Sequence, residues 1–255
     1  MTDIIGSTAQ KHFGIESLYP QQRIVIANIL GGAGFFGSEE AAEAPKKQLV
    51  LLPTGMGKSI CFMLPCLLME PLTLVIFPLL SLMQDQKRRF TEAGIGSVLF
   101  RGGQSKQERE GLYQAIEEKK AKVVLINPEL LAIEEVAERI ARFGPIHLVL
   151  DEVHTLPEWG ETFRPAYLEV GSFAARKEVK QITAFTATAS KRICDKVKEL
   201  LFAGEDPFIV SELPDRPNIH YRVLPVLSRL WKLAELLAPE LTPELAPGQA
   251  ALPRP

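Results

Sequence analysis

Gln48-Leu49-Val50-Leu51-Leu52-Pro53-Thr54-Gly55-Met56-Gly57-Lys58-Ser59 is the stretch on which the fold turns. An apolar run of strand length stops at a proline. Two glycines, a lysine and a hydroxyl residue follow, and the helical pattern Ile60–Glu70 begins directly after them. Glycines allow backbone N–H groups to turn inward around phosphate oxygens, and a following helix start adds a favourable dipole. In that reading Thr54, Gly55, Met56 and Gly57 form the cradle. Lys58 reaches the β- and γ-phosphates, and the Ser59 hydroxyl ligates Mg²⁺. The strict phosphate-loop pattern has glycine at position 52, where this chain has Leu52. So short a string can arise by chance, and its place between a strand and a helix is what argues for function.

Outward from this point, Thr73–Pro78, Ser97–Phe100, Val123–Asn127, Ile146–Asp151 and Gln181–Thr186 join Gln48–Pro53 as expected strands. They are short, rich in Val, Ile, Leu and Phe, and bounded by Pro, Asn or Asp. Gln104–Lys120, Pro128–Arg142 and Lys191–Phe202 carry apolar residues at helical spacing. Alternation of this kind predicts an α/β fold, a mostly parallel sheet with helices on both faces. Ligands in such sheets sit at the carboxyl ends of strands. Two segments break the pattern: Gly31–Lys47 reads as a surface insertion, and the tail from about Leu237 reads as a linker.

Composition narrows the function less than the motifs do. The 255 residues are 46% hydrophobic and 24% charged, as in ordinary globular proteins. No apolar run of about 18 residues suits a membrane span, and no secretory signal opens the chain, so the expected location is cytoplasmic, without membrane contact. That becomes the nucleoid in a bacterium and the nucleus in a eukaryote. A net charge of −2 gives no global basic field, so any nucleic-acid contact must be local. Lys87-Arg88-Arg89 is one basic run, of a kind that usually marks a solvated helix face. Cys61, Cys66 and Cys194 form no CxxC pair and read as small buried hydrophobes rather than a zinc site.

Two more strand ends carry chemistry. Ile146–Leu150 delivers Asp151-Glu152-Val153-His154. Asp151 suits the magnesium shell and Glu152 suits orienting or deprotonating an attacking water. An acidic pair after a strand is by itself more often a solvated loop; its order behind the glycine loop gives it weight. Phe185-Thr186-Ala187-Thr188-Ala189-Ser190 can bond the acidic motif, or can simply cap the next helix.

Taken together, Leu52–Ser59, the DEVH of Asp151–His154 and the TATAS of Thr186–Ser190 resemble motifs I, II and III of superfamily-two helicases. The chain is more specifically similar to the first motor domain of RecQ-type DNA helicases, over about residues 10–225. Phe13-Gly14 with Pro20-Gln21-Gln22 resembles that family's N-terminal motif, which places Gln22 as the adenine reader. Phe77–Gln86 resembles motif Ia, and Asn127–Leu131 motif Ib. His154-Thr155-Leu156-Pro157-Glu158-Trp159-Gly160-Glu161-Thr162-Phe163-Arg164-Pro165-Ala166-Tyr167 resembles the aromatic-rich loop that distinguishes the family, and Asp215–Ile219 the segment that closes the domain.

The resemblance implies a RecA-like domain over residues 1–225, with 226–255 leading toward a second motor domain. It implies ATP and Mg²⁺ as cofactors, single-stranded DNA and duplex junctions as partners, and 3′–5′ unwinding. Lys58, Asp151, Glu152 and His154 become catalytic residues. Ser81, Gln84, Thr186 and Thr188 become DNA-contacting or coupling residues beside Trp159, Phe163 and Arg164, whose rings and guanidinium can stack on unpaired bases.

Departures from the family pattern make further expectations. Ile15 and Tyr19 stand where the family has an aromatic residue and an arginine, so base stacking is expected to move to Tyr19. Gln84 replaces a frequent lysine. The arginines of a second motor domain are missing, so this chain alone is expected to turn over nucleotide poorly; such arginine fingers are worth roughly 10³–10⁵ in rate. A nucleotide-dependent DNA- or partner-binding module without unwinding activity is the competing class. An RNA helicase is a weaker third, opposed by the loop at Trp159–Arg164.

Overall fold

The computed structural model describes residues 3–37, 42–155, 166–187, 190–212 and 223–241. They fall into two units, residues 1–214 and 215–255. Among the described residues no helix is long and apolar enough to cross a membrane.

The first unit carries a seven-stranded sheet, β1 (Lys47–Leu51), β2 (Leu72–Ile76), β3 (Ser97–Leu99), β4 (Val123–Ile126), β5 (Ile146–Leu150), β6 (Val179–Thr186) and β7 (Phe208–Ser211), in the spatial order β3-β4-β2-β5-β6-β1-β7. Every pairing is parallel. The central strands are covered on both faces, and β2, β4 and β5 are buried throughout. That burial is why their sequences read as unbroken apolar runs.

Helices cover both faces. On one lie α1 (Ile4–Phe13), α2 (Pro20–Gly32), α3 (Lys58–Met63), α4 (Pro65–Leu68) and α5 (Leu80–Glu92), packed around Val25, Ile29, Phe62, Phe90 and Phe185. On the other lie α6 (Lys106–Glu117), α7 (Pro128–Leu131), α8 (Glu134–Ala141), α9 (Ala166–Ala174) and α10 (Lys191–Leu201), around Leu74, Leu148, Ile140, Phe173 and Phe202. Within the second unit α11 spans Arg229–Leu241.

Three expectations change. The helix expected over Ile60–Glu70 is two short helices, because Pro65 has no amide hydrogen to continue the first. Pro128–Arg142 likewise divides, with extended backbone at Ile133 separating α7 from α8. Gly31 and Gly32, at the start of the expected insertion, instead close α2. A Cβ on Gly32 would stand 2.3 Å from Gln181 Nε2, so a larger residue would have to push that amide off its bond to Asn28 O.

A buried polar row crosses the sheet under α2. Asn28 Nδ2 donates to Gln48 Oε1 (3.3 Å) and Gln48 Nε2 donates to Thr183 Oγ1 (3.0 Å). His147 Nε2 lies 2.9 Å from the same hydroxyl, while His147 Nδ1 has no partner among the described residues.

Candidate nucleotide site

β5, β6 and β1 are neighbours, so their carboxyl ends bring three separate segments together. Leu52 continues β1, its N–H donating to Thr186 O, and its side chain is fully buried in the core. The position where the strict loop pattern has glycine therefore still bonds to β6 one residue beyond β1, and leucine fits it. The loop proper starts at Pro53. Gly55 (φ +90°) and Gly57 (φ +65°) occupy left-handed backbone that L side chains rarely adopt. A Cβ on Gly57 would also come within 2.7 Å of Gln22 Nε2. Thr54 is exposed and Met56 half-buried along this turn, and Lys58 and Ser59 begin α3 with first-turn N–H groups that a helix leaves unpaired.

On the β5 side, Asp151 N donates to Ile76 O, extending the pairing with β2 by one residue. Glu152 then adopts φ +51°, uncommon for a residue with a side chain. Four hydrogen bonds fix the turn around it: Glu152 N to Asp151 Oδ1, Val153 N to Phe185 O, and Thr155 N and Oγ1 to Glu152 O. The turn sends the Glu152 carboxylate toward the glycine loop, where Oε1 meets Lys58 Nζ at 2.9 Å. Burial, and then the neighbouring Glu152 charge, push the Asp151 carboxyl up to about 6, against the opposing pull of Lys58.

His154 Nδ1 lies 3.1 Å from Thr186 Oγ1 and 3.4 Å from Glu152 Oε2. It stands between the acidic turn and the end of β6, so the first and third motifs meet through the second. Thr188 lies outside the described residues, as do Trp159, Phe163 and Arg164.

A cavity of about 420 Å³ opens beside the glycine loop. Phe13, Ile15, Ile60 and Met63 supply apolar wall, and Gly57, Ser59 and Gln22 supply its edge toward the loop. Its far side is Arg89 and Glu92, from the last turn of α5. Sequence reasoning missed these two. Only their membership of a basic, amphipathic helix was legible, and the contact is tertiary. Tyr19 is 54% exposed and is not among the residues lining the cavity; its backbone N–H donates to Gln22 Oε1. Gln22 Nε2 donates to Met56 O at 2.9 Å, which ties the start of α2 to the loop. Ser81 and Gln84 are exposed on the first turns of α5. A larger cleft of about 640 Å³ lies at the opposite, amino ends of β2 and β5, beside Glu70, Lys122 and Arg142. Ligands of open α/β sheets gather at the other end, where the acids and the glycine loop are.

The oxygen set at the strand ends suits a hard cation. Ser59 follows Lys58 on the first turn of α3, Lys58 meets Glu152, and the Asp151 carboxyl is raised chiefly by burial and then by the adjacent Glu152 charge, both of which a cation would offset. Among the described residues no group of three or more His, Cys, Asp or Glu side chains converges as a metal cage. Magnesium needs none, since it is commonly held by one or two carboxylates together with substrate phosphates.

Comparison with known proteins agrees with this geometry. Residues 19–197 match the family model described as DEAD/DEAH box helicase. The chain is 37% identical to the ATP-dependent DNA helicase RecQ of Synechocystis over 74% of its own length and 40% of that protein. It is 32% identical to the RecQ of Bacillus subtilis over 78% and 35%. It is 31% identical to the human ATP-dependent DNA helicase Q4 over 84% and 17%. The chain thus spans two fifths or less of these relatives. Among solved structures, the DUF1998 helicase MrfA bound to DNA aligns with TM-score 0.59 at 19% identity, over 83% of this chain and 30% of that one. A hypothetical ATP-dependent RNA helicase from Sulfolobus tokodaii aligns at 0.58 and 18%, over 82% and 57%. At these identities the two structures speak for the RecA-like fold alone.

Proposed function

The chain belongs to the DEAD/DEAH box helicase family, and from that premise we propose that it is the ATP-binding first motor domain of a RecQ-type DNA helicase. The observation that carries this reading is the direct contact of Lys58 with Glu152, which joins the segment Lys58-Ser59 after β1 to the pair Asp151-Glu152 after β5, across the end of β6 that lies between the two strands.

In this reading Lys58 leaves Glu152 to meet the terminal phosphates. Ser59 and Asp151 hold magnesium, which supplies charge neutralisation at the phosphoryl oxygens. Glu152, released from the lysine, orients the attacking water and accepts its proton. His154 passes the state of Glu152 to Thr186 through the contacts it makes with both. Gln22 reads the base. Its carbonyl accepts from Tyr19 N, which leaves one acceptor lobe for adenine, and its amino group donates to Met56 O (2.9 Å) and, at the longer distance of 3.4 Å, to Gly57 O, the bond that would yield a donor to the base. Contact with the nucleoside is assigned also to Arg89 and Glu92, which line the cavity.

Coupling to DNA is assigned to Trp159, Phe163 and Arg164, which follow the acidic turn in the chain, and to Ser81 and Gln84 at the exposed start of α5. Strand translocation and unwinding fall to this domain joined to a second motor domain carrying the transition-state arginines.

Titration of a fluorescent ATP analogue with magnesium tests the first step. Lys58→Ala removes a charge-assisted contact worth about 1.5–3 kcal/mol, so affinity should fall roughly 10- to 100-fold. Unchanged affinity would overturn the assignment. In the protein joined to a second motor domain, Trp159→Ala with Phe163→Ala should abolish stimulation of hydrolysis by single-stranded DNA and spare basal turnover.

A further inference from the structure

Gln86 sits on the buried side of α5, 9% exposed, with its Nε2 3.0 Å from the Ser59 hydroxyl oxygen. This bond joins the helix that starts with Ser81 and Gln84 to the residue that, in the reading above, holds the cation. Its Oε1 is buried and has no hydrogen-bond partner among the described residues. Buried amide oxygens are nearly always satisfied, because leaving one unpaired costs roughly 1–3 kcal/mol. An uncharged glutamine in that condition points to a ligand that arrives later.

We propose that Gln86 is a positioning residue for the magnesium-binding hydroxyl of Ser59. A serine oxygen has two acceptor lobes and one hydrogen. Gln86 occupies one lobe and thereby fixes the rotation of the side chain, so that the second lobe stays directed at the cation. Magnesium surrenders its hydration waters reluctantly and keeps several of them as strong donors. The vacant Oε1 is an acceptor for such a donor, which would satisfy it when the metal nucleotide binds. The amide is then paired at both ends only in the loaded state. A shift of α5 driven from its exposed start would reach the metal-binding hydroxyl through this one side chain.

The inference rests on nucleotide binding by the glycine loop, and the experiment separates the two. Gln86→Met keeps the length and fills the same space without a donor or acceptor. Binding of a fluorescent ADP is titrated against Mg²⁺ in the wild-type chain, in Gln86→Met and in Ser59→Ala, and repeated in excess chelator. Outer partners of metal ligands are typically worth about 10- to 100-fold in metal affinity, so Gln86→Met should raise the half-saturating magnesium concentration about tenfold. Nucleotide affinity in chelator should stay within about twofold if only the metal contact is lost. Adding Gln86→Met to Ser59→Ala should then have no further effect on the magnesium requirement. Gln86→Asn, shorter by one methylene, checks that lost packing alone does not produce the shift: it should resemble Gln86→Met. An unchanged magnesium requirement in Gln86→Met, or full additivity with Ser59→Ala, overturns the inference. Equal loss with and without chelator does so too, since it would show a general role in loop packing. Failure of the wild-type chain to bind the nucleotide, or binding indifferent to Lys58→Ala, would instead overturn the parent reading.

Discussion

Lys58 Nζ and Glu152 Oε1 are 2.9 Å apart, although 94 positions of sequence separate their residues. The two charges each candidate role requires are thus spent on one another before a nucleotide arrives. In the proposed function binding breaks this pair, and the positive φ of Glu152 keeps its carboxylate aimed at the place the lysine would leave.

Glu152→Gln should therefore bind an ATP analogue at least as tightly as the wild type, since a neutral amide competes less for Lys58. Hydrolysis by the protein with its second motor domain should fall about 10²–10⁴-fold, the usual worth of a positioned general base. Parallel binding and phosphate-release assays decide it. Weaker binding by Glu152→Gln would show that the carboxylate serves the nucleotide directly.

The raised Asp151 carboxyl sets a pH dependence for the metal. Its value rises from 3.8 to about 6, so the folded protein holds this proton more tightly than the unfolded chain. As pH falls through about 6 the fold gains a little stability from Asp151, while the cation must displace a proton. The magnesium requirement for nucleotide binding should rise by up to about tenfold per pH unit below that point. Asp151→Asn should bind magnesium poorly at every pH and lose the part of the slope due to this group.

Arg89 is the side chain for base recognition that the cavity suggests. A guanidinium over a base contributes about 0.5–1 kcal/mol at exposed sites, so Arg89→Ala should weaken nucleotide binding about two- to fivefold. Tyr19→Ala is the companion measurement. If it weakens binding and Arg89→Ala does not, the base leans on Tyr19, the residue the sequence departure suggested.

His147 makes the fold sensitive to acid. Burial takes its value from 6.5 down to about 3, so the unfolded chain takes up a proton in this range that the folded one refuses. Its contribution is intact above about pH 6.5 and is lost as pH falls toward about 3, at up to about 1.4 kcal/mol per pH unit. Asp151 acts in the opposite sense between 3.8 and about 6, so the comparison is made against His147→Leu. Urea unfolding at several pH values should show the wild type losing stability faster on acidification than the variant.

Much of the site was legible because its parts sit at the ends of strands that advertise themselves. Buried parallel strands read as apolar runs; Asp151 follows one directly, Thr186 ends another, and the glycine loop leading to Lys58 opens just after a third. β7 was missed because its four residues are mostly exposed and its Phe-Ile-Val-Ser run carries no alternation to mark it. The break in α3–α4 was visible as Pro65 but was outweighed by the apolar spacing around it. Arg89, Glu92 and Gln86 could not be placed, since a helix pattern gives the face of a residue and never which neighbour that face meets. The resemblance drew attention to the exposed start of α5, and the structure adds what lies beneath its other side.

β1 lies between β6 and β7, the last two strands of the sheet in sequence. The strand that carries the glycine loop is among the first made by the ribosome and has to wait, with both edges bare, for partners some 130–160 residues behind it. Nucleotide capture therefore reports that this sheet has been completed, and a nascent or clipped chain lacking residues 179–211 would have the loop sequence without a seat for it. The same arrangement leaves the loop strand as an apolar segment whose neighbours come last.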